Sequence, residues 1–134
     1  MANLKCVSAK CVIKSIFDKD LSAAVLKQMK LTIQTQVDKN SALEFKDSCK
    51  EGYLLTVTLV SLTVDDKAKP DGLEAKLSIV GVAMGGTATG FNATGSSKVT
   101  GINPKKMEEE AKFIVDDALG KLMAKQVIPQ MLKP

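Results

Sequence analysis

The spacing of apolar residues along this chain changes from two to about four and back again, and each change marks a secondary-structure element. Residues 5–17 alternate, with Val7, Ala9, Cys11 and Ile13 separated by mostly polar side chains. An apolar residue at every second position is typical of a strand with one buried face. The pattern therefore predicts an opening strand that turns a lysine-bearing face toward water.

Two longer segments have the four-residue spacing of amphipathic helices. The first covers about residues 20–39, where Asp18 or Asp20 can accept hydrogen bonds from the free amides at the helix start. The second begins at an Asn-Pro pair near residue 103 and should stop before Pro129, because the residue before a proline disfavours helix. The apolar stripes are Leu21, Val25, Met29, Ile33 and Val37 in the first helix, and Met107, Ala111, Ile114, Val115, Ala118, Leu122 and Met123 in the second.

Between the helices, the alternating pattern predicts a long hairpin. Residues 53–64 form the strongest strand, a Pro-Asp-Gly turn follows, and residues 73–84 form the return strand. Residues 42–45 are a short strand candidate ahead of them. In the second half of the first hairpin strand the apolar residues change face, which either a bulge near Val60 or Ser61 or burial on both faces would explain.

Residues 85–101 are rich in Gly, Thr and Ser and have no apolar period. They form either a mobile loop or a polar edge strand with glycine bulges that ends near Val99. The whole chain, residues 1–134, is then a single α+β domain in the order β-α-β-β-β-α. Its sheet is mostly antiparallel with about four strands, and two helices pack on one face.

The composition favours binding over catalysis. The chain has no histidine, arginine or tryptophan, and all 19 basic residues are lysines. It therefore lacks the usual proton shuttle near neutral pH, the bidentate guanidinium group and the indole anchor. The net charge of +4 is spread along the chain, which argues against a nucleic-acid partner.

No cofactor or metal is predicted from the motifs. The segment 90–97 resembles a phosphate loop, but its lysine is missing and no helix follows it. Asp116 and Asp117 are neighbours on a helix, so their carboxylates point in different directions. An oxygen-rich calcium loop is not visible.

The cysteines leave two interpretations open. They are three in number, so Cys6, Cys11 and Cys49 either serve as small buried apolar residues, or Cys49 is bridged to Cys6 or Cys11. A bridge would imply an oxidising compartment. The longest apolar run, residues 54–62, is too short to span a membrane. No signal peptide is visible, so we expect either a cytoplasmic protein or one whose leader has been removed.

The layout resembles a family of small envelope domains of Gram-negative bacteria. An early strand and helix are followed by Gly52-Tyr53-Leu54-Leu55-Thr56-Val57, which opens the hairpin, and by a Gly/Thr-rich return and a final helix. This order is similar to the folds of the curli-secretion protein CsgG, the penicillin-binding-protein activator LpoB and the N-terminal domain of TolB. The resemblance implies a periplasmic location, with membrane proximity but no membrane span. Such proteins are typically lipoproteins, and no lipid-bearing N-terminal cysteine is evident in this chain.

The expected function is that of a non-catalytic envelope domain that binds another protein. Its contact surfaces would be the hairpin tip and the Gly/Thr-rich segment, and strand addition at a sheet edge is the expected mode. One alternative is a carrier of a small apolar ligand or lipid lined by methionines such as Met29, Met107 and Met123; an enzyme is the least favoured. The candidate contact residues are Asp65, Asp66, Lys67, Pro70, Asp71, Gly85, Gly86, Gly90, Phe91 and Gly95.

Overall fold

The computed structural model describes residues 4–65, 71–85 and 90–133, which form one sheet with helices on one of its faces. The strands are β1 (Lys5–Ile13), β2 (Leu43–Phe45), β3 (Gly52–Asp65), β4 (Gly72–Met84) and β5 (Phe91–Thr100). The helices are α1 (Ser22–Asp38), α2 (Met107–Leu122) and α3 (Ile128–Leu132).

The sheet has the order β2-β1-β3-β4-β5. The α+β class and the helices on one face agree with the sequence-based expectation, but the described sheet is mixed and has five strands, instead of being mostly antiparallel with about four. The β3-β4 and β4-β5 pairings are antiparallel, whereas β1 pairs in parallel with both β2 and β3. Parallel pairing arises because α1 returns the chain across the sheet before β2, and residues 46–51 return it again before β3.

A bulge near Val60 decides between the two explanations for the change of face in β3. The β3-β4 register shifts between Leu59 and Ser61, so one extra residue is inserted into β3. As a result, Leu59 and Leu62 are both fully buried although three positions separate them. Of the two explanations left open by the sequence, the bulge is the correct one.

The first strand is shorter than the alternating pattern predicted. β1 ends at Ile13 instead of continuing to residue 17, and beyond it the chain regains contact with β3 through a bridge from Ile16 to Leu62. The Asp18 side chain then accepts a hydrogen bond from the Asp20 amide at 3.0 Å. This cap starts a single turn of 3₁₀-helix ahead of α1.

The prediction that the final helix stops before Pro129 is wrong. A π-helical turn at Met123–Val127 follows α2, and Pro129 lies in the first turn of α3. Proline lacks an amide hydrogen and its ring collides with the carbonyl four residues earlier in a regular helix. The π turn changes the hydrogen-bond register ahead of the proline, and burial of Ile128 and Met131 holds the continued segment on the core.

The core lies between the helices and the sheet. The predicted stripe of α1 is buried from Leu21 to Val37, and Met29 and Met123 are fully buried within the same cluster. Polar contacts to Asp116 of α2 join the two long helices: the buried Thr32 hydroxyl donates to its carboxylate at 2.7 Å, and Gln28 Nε2 donates to the same oxygen at 3.5 Å. Such a bond satisfies a hydroxyl that would otherwise be costly to bury.

A disulfide joins Cys6 to Cys49, and Cys11 remains a free thiol. Because Val7 points into the core, its neighbour Cys6 points to the opposite face of the sheet. Cys49 belongs to the segment 46–51, so the disulfide fastens this crossing segment beneath β1. The segment ends at Gly52, whose φ is +116° and where an added Cβ would come within 2.1 Å of the Cys6 carbonyl oxygen, so only glycine fits.

Candidate protein-binding edge

The two predicted contact surfaces meet at one end of the sheet and separate toward the other. Asp65 ends β3 and Asp71 lies just before β4, beside the end of β5, because Gly72 pairs with Thr100 and the Ile102 amide donates to the Asp71 carbonyl at 3.1 Å. Gly85 follows β4, and Gly90 and Phe91 lie at the start of β5, roughly 40 Å from the hairpin tip, since β4 has 13 residues at about 3.4 Å each. These three residues therefore cannot share one site with Asp65 and Asp71. Four further candidates lie outside the described residues: Asp66, Lys67, Pro70 and Gly86.

The Gly/Thr-rich segment forms an edge strand. β5 has ten residues and, of the strands the structure describes, pairs only with β4, without a register shift from Gly72–Thr100 to Gly81–Phe91. Of the two alternatives for residues 85–101, the edge strand is thus correct for residues 91–100, but the expected glycine bulges do not occur there. Along its outer side, β5 offers backbone N–H and C=O groups to a further strand.

The outer side of β5 has one of the usual features that discourage strand addition, the charged residue Lys98, and it contains no proline. The Lys98 ammonium forms an ion pair with Glu74 on β4, with 3.5 Å between Nζ and Oε2, and the Lys98 side chain is 69% exposed. One backbone acceptor of β5 already has a side-chain donor, because Gln126 Nε2 donates to the Thr94 carbonyl at 3.4 Å. Exposed amide and hydroxyl side chains fill the face turned away from the helices: Asn92, Thr94, Ser96 and Thr100.

Contacts with α2 hold β5 in place. The Ser97 hydroxyl donates to the Asp117 carboxylate at 2.8 Å, and Lys121 Nζ donates to the same oxygen at 3.1 Å. The hydrogen bond from Ser97, followed by that from Lys121, lowers the pKa of Asp117 below its ordinary value. These bonds order the edge strand from the helix side and leave its outer side unpaired with any described strand.

Two of the predicted contact residues serve the packing of β5. The Phe91 ring lies over Gly81, where an added Cβ would come within 2.2 Å of the ring, and its centroid is 6.1 Å from that of Tyr53. Gly95 faces Leu122 of α2, at 3.4 Å from an added Cβ. Both residues therefore stabilise the edge from the helix side, and a partner strand would meet the backbone instead.

The residues that fix β5 were missed by sequence reasoning. Ser97 and Asp117 are twenty positions apart, and their contact depends on how α2 crosses β5. The sequence offers one partial signal, because Asp116 and Asp117 are neighbours on a helix and must point in different directions. In the structure, Asp116 binds Thr32 of α1 and Asp117 binds Ser97 of β5.

Comparisons with known proteins describe the fold. No protein-family model matches the chain, and no curated protein sequence matches it. Similar structures include the hypothetical protein CT253 from Chlamydia trachomatis, at 6% identity and a TM-score of 0.60, covering 91% of this chain and 95% of that one. Another is the PelC dodecamer from Paraburkholderia phytofirmans, at 10% identity and a TM-score of 0.51, covering 93% and 90%.

Lipoproteins of Gram-negative bacteria also occur among the structural neighbours. One is the rare lipoprotein B from Shewanella oneidensis, at 14% identity and a TM-score of 0.41, covering 94% of this chain and 96% of that one. The similarity to CT253 and to PelC, at 6% and 10% identity, shows a shared fold and not a shared function.

Two further properties concern membranes and metals. Within residues 4–65, 71–85 and 90–133, no helix has the length and apolar character needed to cross a membrane. Over the same ranges, no three His, Cys, Asp or Glu side chains are grouped so as to hold a metal ion. β5 itself carries backbone donors and acceptors, hydroxyls, the amide of Asn92 and the ammonium of Lys98.

Proposed function

We propose that the protein is a non-catalytic, protein-binding module of the cell envelope and that it binds by adding a partner strand to the outer side of β5. The observation that supports this best is an ordered ten-residue edge strand, fixed from the helix side by Ser97 and Asp117, with its outer backbone groups directed away from the sheet. A pre-ordered edge binds an extended segment without first having to order itself.

The disulfide supports the envelope location. A bridge between Cys6 and Cys49 forms and persists in oxidising compartments such as the periplasm, whereas thiols in the cytosol are kept reduced. The resemblance of the sequence layout to CsgG, LpoB and the N-terminal domain of TolB supports the same compartment. The cytoplasm is the alternative location.

The state of Cys11 supports a non-catalytic role. Burial raises the pKa of the Cys11 thiol to about 11, and the nearby Lys30 offsets this only in part. A nucleophilic cysteine requires a lowered pKa, because the thiolate is the reactive form. With no histidine in the chain to act as a base, Cys11 stays protonated near neutral pH.

Core packing favours a binding module over a carrier of apolar ligands. Met29 and Met123 are fully buried within the core cluster, and Met107 packs against it. Methionines that already fill the core offer no lining for a ligand.

Site-specific photo-crosslinking in the native cells tests the proposal. A photoreactive residue at Thr94 or Ser96, both exposed on β5, should give one defined adduct with a protein. The matched control is Gln34, which is exposed on α1. Adducts at Gln34 as abundant as those at β5, or none at β5, would contradict the proposal.

Light scattering on the purified protein then identifies the class of partner. Because the similar fold of PelC occurs as a dodecamer, another copy of this chain is included among the candidates. A β5 adduct of twice the chain mass, together with a concentration-dependent increase in particle mass, identifies self-assembly. A heavier adduct from a monomeric protein identifies a different partner.

A further inference from the structure

The opposite edge of the sheet is only half covered. β2 pairs with β1 over Lys5–Val7, whereas β3 pairs with the other side of β1 over Val7–Ile13. Among the described strands, the second half of β1, from Ala9 to Ile13, therefore has a neighbour on one side only. We call this stretch the β1 notch.

Backbone hydrogen bonds show which residues face the uncovered side. The Val7 carbonyl accepts from the Lys46 amide at 2.9 Å, just beyond β2, so Val7 faces that edge. The Lys14 amide donates to the Leu59 carbonyl of β3 at 2.9 Å, so even-numbered residues face β3. Successive residues of a strand direct their backbone groups to opposite sides.

Three residues of the β1 notch consequently direct both an N–H and a C=O toward the open edge: Ala9, Cys11 and Ile13. Among the described residues, none donates to or accepts from these backbone groups. They repeat at the two-residue spacing of a strand, which is the spacing that an added strand requires.

A cleft of about 590 Å³ lies beside the β1 notch, where α1 approaches the edge. Its apolar wall includes Cys11, Ile13, Ile16 and Leu26, and its lining also contains Lys14 and Lys19. None of the nine lining residues is acidic. Along the chain, Asp18 and Asp20 flank the lining residue Lys19; the Asp18 carboxylate already accepts the Asp20 amide as the helix cap, and the Asp20 side chain is exposed.

We propose that the β1 notch binds an extended peptide segment of a protein partner in which apolar and acidic residues alternate. Backbone hydrogen bonds join the segment to Ala9, Cys11 and Ile13. Its apolar side chains enter the cleft on the helix side, and its acidic side chains lie near Lys10 and Lys14 on the other face. The β1 notch is separate from the β5 edge, so a result that contradicts binding at one of the two sites does not count against the other.

The same features argue against two other occupants. A small apolar ligand would leave the row of backbone donors and acceptors in the notch without partners. The β5 edge of a second copy carries Lys98 and no acidic residue, so it does not complement the lysines of the notch.

Amide hydrogen exchange measured by NMR tests the proposal, with a capped peptide of three Val-Glu repeats as the probe. In the free protein, the amides of Ala9, Cys11 and Ile13 should exchange quickly, whereas those of Lys10 and Val12 are protected by bonds to β3. Excess peptide should slow exchange at the first three by about tenfold or more and leave the last two unchanged. No slowing in the notch, or slowing confined to β5, would overturn the proposal.

Two matched peptides distinguish strand addition from nonspecific binding. A peptide of three Val-Lys repeats should bind at least about tenfold more weakly, because its charges face lysines. A Val-Glu peptide with methylated backbone nitrogens should lose binding, because it cannot donate to the notch. Equal binding by either peptide would contradict the proposed mode.

Two protein variants complete the test. Ala9→Pro removes an amide that faces the open edge, so the chain should fold, as thermal unfolding will show, yet bind the peptide about tenfold more weakly. Should that variant not fold, the exposed pair Lys10→Glu and Lys14→Glu should weaken binding about tenfold. The matched pair Lys105→Glu and Lys106→Glu, exposed before α2, should bind normally, and an equal loss in both pairs would reject the site.

Discussion

The two edges of this sheet are held by different means. β5 runs for ten residues along β4 and is fixed by hydrogen bonds from the helix side, whereas β2 has three residues and leads into a crossing segment that a disulfide fastens to β1. A long ladder needs little further support, but the irregular segment 46–51 has few backbone bonds of its own. The β1 side should therefore respond to redox state, and the β5 side to polar groups on α2.

Removing the disulfide should give the largest loss of stability. The double variant Cys6→Ser and Cys49→Ser opens a loop between residues 43 positions apart, which should lower the free energy of unfolding by roughly 4 kcal/mol. Urea denaturation with and without reductant measures this. The unmodified protein should lose the same amount in reductant, and the double variant should not respond to it.

The matched control for the disulfide is Cys11→Ser, which removes the free thiol and should cost about 1 kcal/mol or less. If the double variant is as stable as this control, the disulfide does not hold the β1 side.

A methyl group at Gly52 should come next in effect. In Gly52→Ala, the residue must keep φ at +116°, and its new Cβ would lie 2.1 Å from the Cys6 carbonyl oxygen. We therefore expect the free energy of unfolding to fall by about 3 kcal/mol. On β5, Gly95→Ala meets only the flexible Leu122 side chain at 3.4 Å and should stay within about 0.5 kcal/mol of the original. Thermal unfolding of both variants measures the difference, and equal losses would refute the contrast between the edges.

Breaking the contact between β5 and α2 should cost less. Asp117→Asn weakens the bonds from Ser97 and Lys121, and because the Asp117 side chain is 32% exposed we expect only about 1 kcal/mol at neutral pH. Since the native pKa of Asp117 is lowered from 3.8, the stabilisation is present above that pH and is lost as the pH falls through the native value.

Urea denaturation as a function of pH checks this sign. The difference between Asp117→Asn and the original should shrink at acidic pH, while Glu109→Gln, exposed on the same helix, should change little throughout. A difference that grows on acidification would contradict the assigned hydrogen bonds.

The smallest effect on stability is expected at Lys98. Its ion pair with Glu74 spans 3.5 Å and its side chain is 69% exposed, so Lys98→Ala should cost about 0.5 kcal/mol or less. Because Lys98 is the one charge on β5, its removal should instead increase self-association, measured by light scattering. Unchanged association would mean that the edge is protected in another way.

Local pattern was sufficient for the elements whose apolar residues repeat. The stripe of α1 and the alternating face of β3 are buried as predicted, and even the bulge near Val60 was visible as a change of face. In each case the period of the side chains follows from the backbone geometry, so a short stretch of sequence contains the information.

Long-range pairing was not readable in the same way. The parallel partners of β1 depend on the path of α1 and of residues 46–51, and the pairing of Ser97 with Asp117 depends on how α2 crosses β5. The prediction that the final helix stops before Pro129 was wrong for a related reason, because a π turn and core packing outweigh the local helix-stop signal of the proline. The β1 notch likewise could not be predicted from local sequence, because the side of Ala9 to Ile13 that no described strand covers is set by the topology of the sheet.

The redox state of the three cysteines in the native cells is the most direct measurement of whether this protein works in the envelope. Cells are quenched in acid, the protein is denatured without reductant, and free thiols are labelled with a maleimide of known mass. An envelope module should gain one label, at Cys11, because Cys6 and Cys49 are joined. Three labels per chain would show that the bridge is open where the protein functions and would contradict the envelope assignment.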